Sequence, residues 1–432
     1  MSVATRSAKA SKASQNPWTG VIGGLSGLGL CLWVILKEKQ PGTWTPDHRQ
    51  HALMWLTLLG IFILMGFIDQ VVLRGFRSNP SQRPPYHLKP GRLFRSALWR
   101  YLAILGLLTT ARFIYFHHPL YASDFYSPFR WIFPHVYMGY ALLGLPYMLA
   151  TLRYRAHFRS EFKDPGLHIL LWTRGLASLS FRKAVRRSRA ILRNRRSKIV
   201  LLGFAVELFF LPVMSVFMTG NFDRLSSEIG RVLSAPAGHE GHVALYWMLH
   251  NGMFLLDTLL VVGGYALPSR WLGNKIQSVE PTLLGWLVAL MCYPPFNVTA
   301  GSLMPYRESP ESQIIHAHWA LDFLMILSLI FLTLYVIPTL MFGTRFSNLT
   351  HRGILKRGIY AVVRHPAYLG KNLSWWADMI PYLGNPLNTL FLLCWNGVYF
   401  LRAWTEERHL SRDPVYRDYC RSVPYRFIPG VF

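Results

Sequence analysis

His318-Trp-Ala-Leu-Asp-Phe-Leu-Met-Ile-Leu-Ser-Leu-Ile-Phe-Leu-Thr-Leu-Tyr-Val-Ile-Pro-Thr-Leu-Met-Phe342 is the stretch that decides the fold. It contains one acid, Asp322, and no Lys or Arg. At about 1.5 Å per helical residue it is long enough to cross the roughly 30 Å hydrocarbon core of a bilayer. Its apolar residues form a continuous block instead of recurring on one helical face, which marks a spanning helix. Similar blocks lie upstream at Trp18–Leu36, His51–Leu73, Phe94–Phe116, Trp131–Leu152, Ile199–Thr219 and Val243–Leu267, with a short one at Pro281–Tyr293. Arg100 and Arg112 interrupt the third. Downstream, the apolar runs at 374–384 and 387–401 suit a helical hairpin. The expected fold is all-α: a polytopic integral membrane protein of about eight spanning helices with a C-terminal helical hairpin.

Charge placement tests that expectation. The chain of 432 residues is 52% hydrophobic and carries 46 Lys and Arg against 20 acids. Such an excess suits a nucleic-acid binder or a membrane protein with basic cytoplasmic loops, and position separates the two. The loops at 74–92, 153–198, 268–276 and 343–364 are dominated by Lys and Arg, whereas those near 37–50, 118–130, 220–242 and 295–316 are mixed or mildly acidic. This alternation through eight spans follows the positive-inside rule and places both termini in the cytoplasm. The 153–198 loop has 14 Lys or Arg and two acids, without the aromatic interleaving of a single-strand nucleic-acid binder. It reads as a surface held against anionic headgroups, so membrane lipids are the expected partners and nucleic acid is not. The four cysteines lie mostly in or near apolar segments and form no CxxC, which argues against a disulfide framework or a zinc site.

Four regions follow. Residues 1–16 are a Ser-, Ala- and Lys-rich tail without an acid, 17–152 an N-terminal four-helix unit, 153–198 the basic cytosolic loop, and 199–432 a C-terminal unit.

Polar chemistry concentrates near the C-terminus. It begins Arg357-Gly-Ile-Tyr-Ala-Val-Val-Arg-His-Pro-Ala-Tyr-Leu-Gly370 and resumes at Arg402-Ala-Trp-Thr-Glu-Glu-Arg-His-Leu410. It closes with Val423-Pro-Tyr-Arg-Phe-Ile-Pro429. The apolar run 387–400 between these blocks gathers them at one membrane face. Together they resemble the integral-membrane methyltransferases, a group that includes isoprenylcysteine carboxyl methyltransferases and phospholipid methyltransferases. The resemblance is specific over about 343–430. Looser likeness reaches back to about 245, through Ser269-Arg-Trp-Leu-Gly-Asn-Lys275 and Pro281-Thr-Leu-Leu-Gly-Trp286, which look like a bacterial branch and so imply an inner membrane.

The resemblance implies S-adenosylmethionine bound at the cytosolic face and a lipophilic small-molecule or lipidated acceptor entering from the bilayer. It also implies that His365, Tyr368, Glu406 and Glu407 contact the cofactor. Residue chemistry agrees: carboxylates accept from ribose hydroxyls and amines, arginine pairs with the cofactor carboxylate, and aromatic faces suit adenine and the sulfonium. Glu406 and Glu407 point about 100° apart on a helix, so one is expected at the cofactor and the other at an arginine such as Arg402 or Arg426. Arg364 and His365 precede Pro366, which favours an extended His365 and a helix starting at Pro366. Free amides at that start would face an anionic cofactor group. Arg426 is the candidate to orient an anionic acceptor and Tyr425 to close the pocket.

Lys371 departs from the prenylcysteine pattern, placing a cation where an apolar residue is expected; it can snorkel to headgroups or meet an acidic acceptor head. The ending at 416–429 also resembles that of the NADPH-dependent sterol reductases. The acid pair and the His-Pro-Ala-Tyr run favour the methyltransferase side. Glu207, His250, Asp257 and Asp322 sit within spans and need partners, for which Arg100 and Arg112 are the expected cations. If those acids instead served a transporter or scaffold, Asp257 and Asp322 would carry the function. His239-Glu-Gly-His242 lacks the spacing of a zinc helix, and no metal is expected.

Overall fold

The computed structural model describes residues 17–37, 46–68, 90–158, 185–186, 193–266, 272–304 and 308–431. The 1–16 tail and most of the 74–92 and 153–198 loops lie outside them. In chain order the helices are α1 (Pro17–Lys37), α2 (His48–Phe67), α3 (Pro90–His117), α4 (Ser127–Phe158), α5 (Arg195–Ser234) and α6 (His239–Ala266). They continue with α7 (Leu283–Leu290), α8 (Phe296–Leu303), α9 (His318–Phe342), α10 (Pro366–Met379), α11 (Pro386–Leu410) and α12 (Pro414–Ser422). Two short strands, β1 (Ser278–Val279) and β2 (Thr350–His351), pair antiparallel with Ser278 opposite His351.

The all-α fold and its multi-pass character stand. Among the described residues six helices, α1, α2, α3, α5, α6 and α9, are long and apolar enough to cross a membrane. The expected fourth span forms α4, long at 32 residues but diluted by Pro, His and Tyr. The expected seventh yields only the eight residues of α7, about 12 Å of helix and far short of a bilayer. The expected hairpin is present as α10 and α11.

The described residues form two compact units, Met1–Leu73 with Val213–Phe432, and Arg74–Pro212. Sequence order groups α1 and α2 with the next two helices, but packing joins them to the C-terminal ones. The cause is visible at Gly20: a Cβ there would lie 2.0 Å from the carbonyl oxygen of Leu340, so only glycine lets α1 approach the end of α9. The same device sets α10 against α9, where a Cβ on Gly370 would lie 2.6 Å from the Tyr335 nitrogen. In the other unit α3 packs on α4 around Ala97, Met148 and Leu152.

Two of the intramembrane acids find partners that the sequence did not indicate. Asp257 accepts from the Tyr335 hydroxyl at 2.8 Å. Asp322 accepts from Nδ1 of His239 at 2.6 Å and of His242 at 2.7 Å. A tyrosine and two histidines stand where arginines were expected. Arg112 instead lies over the rings of Phe116 and Tyr137.

Candidate active site

The site is built on the α10 start, the end of α11 and the C-terminal tail. Proline at the first helical position opens α10, as the sequence indicates, with His365 outside the helix at φ −124° and ψ 56°, short of the extended backbone expected there. The two preceding amides are not free for a ligand. Arg364 donates to the carbonyl of Tyr425 at 3.0 Å and His365 to that of Arg426 at 2.9 Å, which lashes the tail alongside.

Glu407 is the hub of this arrangement. Its Oε1 accepts from Arg364 Nε at 2.7 Å and from His365 Nε2 at 3.1 Å, and its Oε2 accepts from Arg426 Nε at 2.8 Å. Burial alone would raise its pKa, but the hydrogen bond and charge of His365, then Arg426 and Arg364, push it down to about 2. The Arg364 guanidinium also donates to the carbonyls of Val423 and Pro424. This cluster joins α10, α11 and the tail, and its acid is spent on protein.

Glu406, one residue earlier, turns the other way, as the helical angle requires. It is exposed and lines a cavity, with Oε2 accepting from the Tyr368 hydroxyl at 2.8 Å. Burial holds the Tyr368 hydroxyl well above its ordinary range, so it remains a donor. The rings of His365 and Tyr368 lie parallel, 5° apart with centroids at 5.3 Å, and the Arg402 guanidinium covers Tyr368 at 5.2 Å. Arg402 also donates to Asn348 Oδ1, and the backbone nitrogen of Asn348 donates to the Tyr265 hydroxyl at 2.7 Å.

The cavity holds about 1120 Å³ including its mouth, and its opposite wall comes from residues that sequence reasoning missed. The β1–β2 pair carries His351 opposite Ser278 and leads into Glu280, whose backbone donates to Leu349, and His409 follows from α11, one helical turn below Thr405. Glu280 Oε1 accepts from Thr282 N at 3.0 Å and Arg408 at 3.2 Å. Its Oε2 is buried without a hydrogen bond, as are His409 Nδ1 and His351 Nε2. Glu280 Oε2 and His409 Nδ1 are 3.7 Å apart, too far for a hydrogen bond to each other. Burial lowers the pKa of both histidines, so they are neutral at pH 7 and able to donate or accept. Buried polar atoms left unspent around one space are what a ligand with hydroxyl and amine groups satisfies. The signal for Glu280 in the sequence was an isolated acid directly before the Pro281-Thr-Leu-Leu-Gly-Trp run.

Of the candidate residues, Arg364, His365, Tyr368 and Glu406 line this cavity. Glu407 stands behind the wall. Tyr425 and Arg426 are not among the lining residues; Tyr425 contributes its carbonyl and Arg426 its ion pair with Glu407. Among the described residues no His, Cys, Asp or Glu cluster is arranged to hold a metal ion.

Fold and site thus define a multi-pass helical membrane protein with a carboxylate- and histidine-lined cavity beside its C-terminal hairpin. Residues 318–417, from the start of α9 into α12, match the phospholipid methyltransferase family, as the motifs of the C-terminal part suggest. No curated protein and no solved structure matches the chain.

Proposed function

We propose that the chain transfers a methyl group from S-adenosylmethionine to a lipophilic acceptor at the cytosolic membrane face. One observation carries this reading: within and beside the matched segment, a single cavity collects two carboxylates, two neutral histidines and a stacked His–Tyr pair with buried polar atoms unspent. That donor set fits the cofactor. Glu406 and Glu280 can accept from ribose hydroxyls and the ammonium group, His351 and His409 can bond adenine or ribose, and Arg345 or Arg352 can pair with the carboxylate. When bound, S-adenosylmethionine supplies a sulfonium methyl that an acceptor lone pair takes as the C–S bond breaks and a neutral thioether leaves.

The protein's part is alignment and exclusion of water. Tyr368 holds Glu406 in one orientation, and Arg402 holds Tyr368. Arg364, His365 and Arg426 act through Glu407, fixing the α10 start and the tail on which the cavity wall depends; we assign them to positioning.

Two measurements test the reading. Lipid extracts incubated with purified protein and isotopically labelled S-adenosylmethionine should yield a labelled lipid, lost with Glu406→Gln; label that never leaves the donor would contradict it. The cytosolic placement rests on the basic segments at 343–364, not on span parity, since α7 is too short to count. Cysteine at Ala237, in the turn between α5 and α6, should react with an impermeant reagent in intact cells, and cysteine at Ala361 should not. Labelling at Ala361 would overturn the orientation.

A further inference from the structure

A second and larger space, about 1750 Å³ with its mouth, lies behind the first, among α5, α6, α8, α9, α10 and α11. Phe346 lines both cavities. Between them stand Tyr293 and Tyr399, whose rings face the second space and are covered by Arg402 at 5.6 and 5.7 Å. The wall separating the two spaces is therefore a layer of aromatic rings and one guanidinium.

Lys371 governs the chemistry of this space. Its ammonium lies 5.3 Å from the ring centroid of Trp375, 5.4 Å from that of Tyr335 and 5.7 Å from that of Tyr399. Three rings around a cation form the kind of box that recognises ammonium ligands. Here the box is filled by the chain's own lysine, from the same helical face as Trp375 four residues on. Among the described residues Lys371 makes no hydrogen bond or ion pair, so its three N–H donors are held in place yet unspent. The remaining charges of the lining are Arg224 and one acid, Asp257, which is buried, accepts from Tyr335 at Oδ2 and keeps Oδ1 without a hydrogen bond. His250, partly buried, adds an unpartnered Nδ1. The balance is positive. A cation inside a membrane protein is costly unless partners meet it, and here three rings and the charge of Asp257 in the same lining meet it without a hydrogen bond.

We infer that this second cavity is the acceptor chamber, and that Lys371 is its specificity determinant. It selects an amphiphile with an anionic head and rejects an ammonium head. An amine lipid would meet like charge and find the aromatic box already taken, whereas an anionic head finds three donors and, elsewhere in the same lining, the guanidinium of Arg224. Naming the bound amphiphile the acceptor rests on the methyl-transfer reading above; the head-group preference of the cavity does not.

The test uses full-length protein in phosphatidylcholine nanodiscs and two photoreactive amphiphiles that share a diazirine-bearing alkyl chain, one headed by carboxylate and one by trimethylammonium. Crosslinked residues are mapped by mass spectrometry. In the wild type the carboxylate probe should label the second cavity and the ammonium probe should not. Lys371→Met should cut carboxylate labelling about tenfold or more, the loss of one charge-assisted contact, and should admit the ammonium probe to the emptied box. Lys371→Arg should keep the wild-type preference, which shows that charge and not folding is read. Equal labelling by both probes, absence of carboxylate labelling, or a preference unchanged in Lys371→Met would overturn the inference. S-adenosylmethionine affinity, measured on the same preparations, should stay within a few-fold in all three proteins. Failure of the wild type to bind it would sink the methyl-transfer reading while leaving the head-group preference of the cavity to the crosslinks.

Discussion

The two ends of α9 each meet a cluster of acids and histidines, and they are built for different ends. At its start, Asp322 satisfies both oxygens on His239 and His242, in partly exposed positions with side-chain exposures of 22%, 24% and 57%. Beyond its other end, Glu280, His351 and His409 are buried at 6% exposure or less and leave an oxygen and two ring nitrogens unspent around a cavity. The first cluster is complete as it stands and serves to tie α6 to α9. The second is complete only with something bound. Unspent buried polarity, and not the mere meeting of acid and histidine, distinguishes the site.

The largest effect expected is on the hub that belongs to neither category. Glu407→Gln removes the buried acid from two partly buried arginines and a buried histidine and should cost about 3–5 kcal/mol of stability, read as a lower thermal midpoint in detergent. Because the folded pKa of Glu407 is depressed to about 2, its contribution is present above its unfolded pKa and lost as pH falls through that folded value. Wild-type protein should therefore lose stability progressively between about pH 5 and pH 2, and Glu407→Gln should lack that component. A variant as stable as the wild type would show that the hub is not structural.

Next come the cavity acids. Glu406→Gln and Glu280→Gln should each retain the fold and weaken S-adenosylmethionine binding by about 1.5–3 kcal/mol, roughly ten- to a hundred-fold. If Glu280→Gln binds as well as the wild type, the β1–β2 wall is a packing feature and the unspent oxygen carries no ligand. The smallest effect belongs to the opposite end: Asp322→Asn, with its half-solvated partners, should shift the thermal midpoint slightly and leave cofactor affinity unchanged. A loss of affinity there would erase the contrast between the two clusters.

How much of this was legible in the sequence follows from what each feature depends on. Spanning helices depend on local apolarity, so α1, α2, α6 and α9 were readable directly, and Pro366 announced the start of α10. The angle between Glu406 and Glu407 guaranteed that they divide between two environments. Which acid goes where depends on the tail's return beside Arg364, and no local pattern encodes that. The wall at Glu280 was hidden for the same reason: it exists because a two-residue strand pairing brings 278–280 to 349–351 across some 70 residues of chain. About eight spans were expected, and among the described residues six helices are long and apolar enough, because the fourth block is diluted by polar residues and the seventh forms only eight residues of helix.

The most direct measurement is calorimetric titration of S-adenosylmethionine into the detergent-solubilised full-length protein, with NADPH titrated in parallel. Saturable binding of S-adenosylmethionine, weakened in Glu406→Gln and spared in Asp322→Asn, with no heat from NADPH, is the predicted result. Saturable NADPH binding with no response to S-adenosylmethionine would contradict the account and turn the cavity over to a reductase.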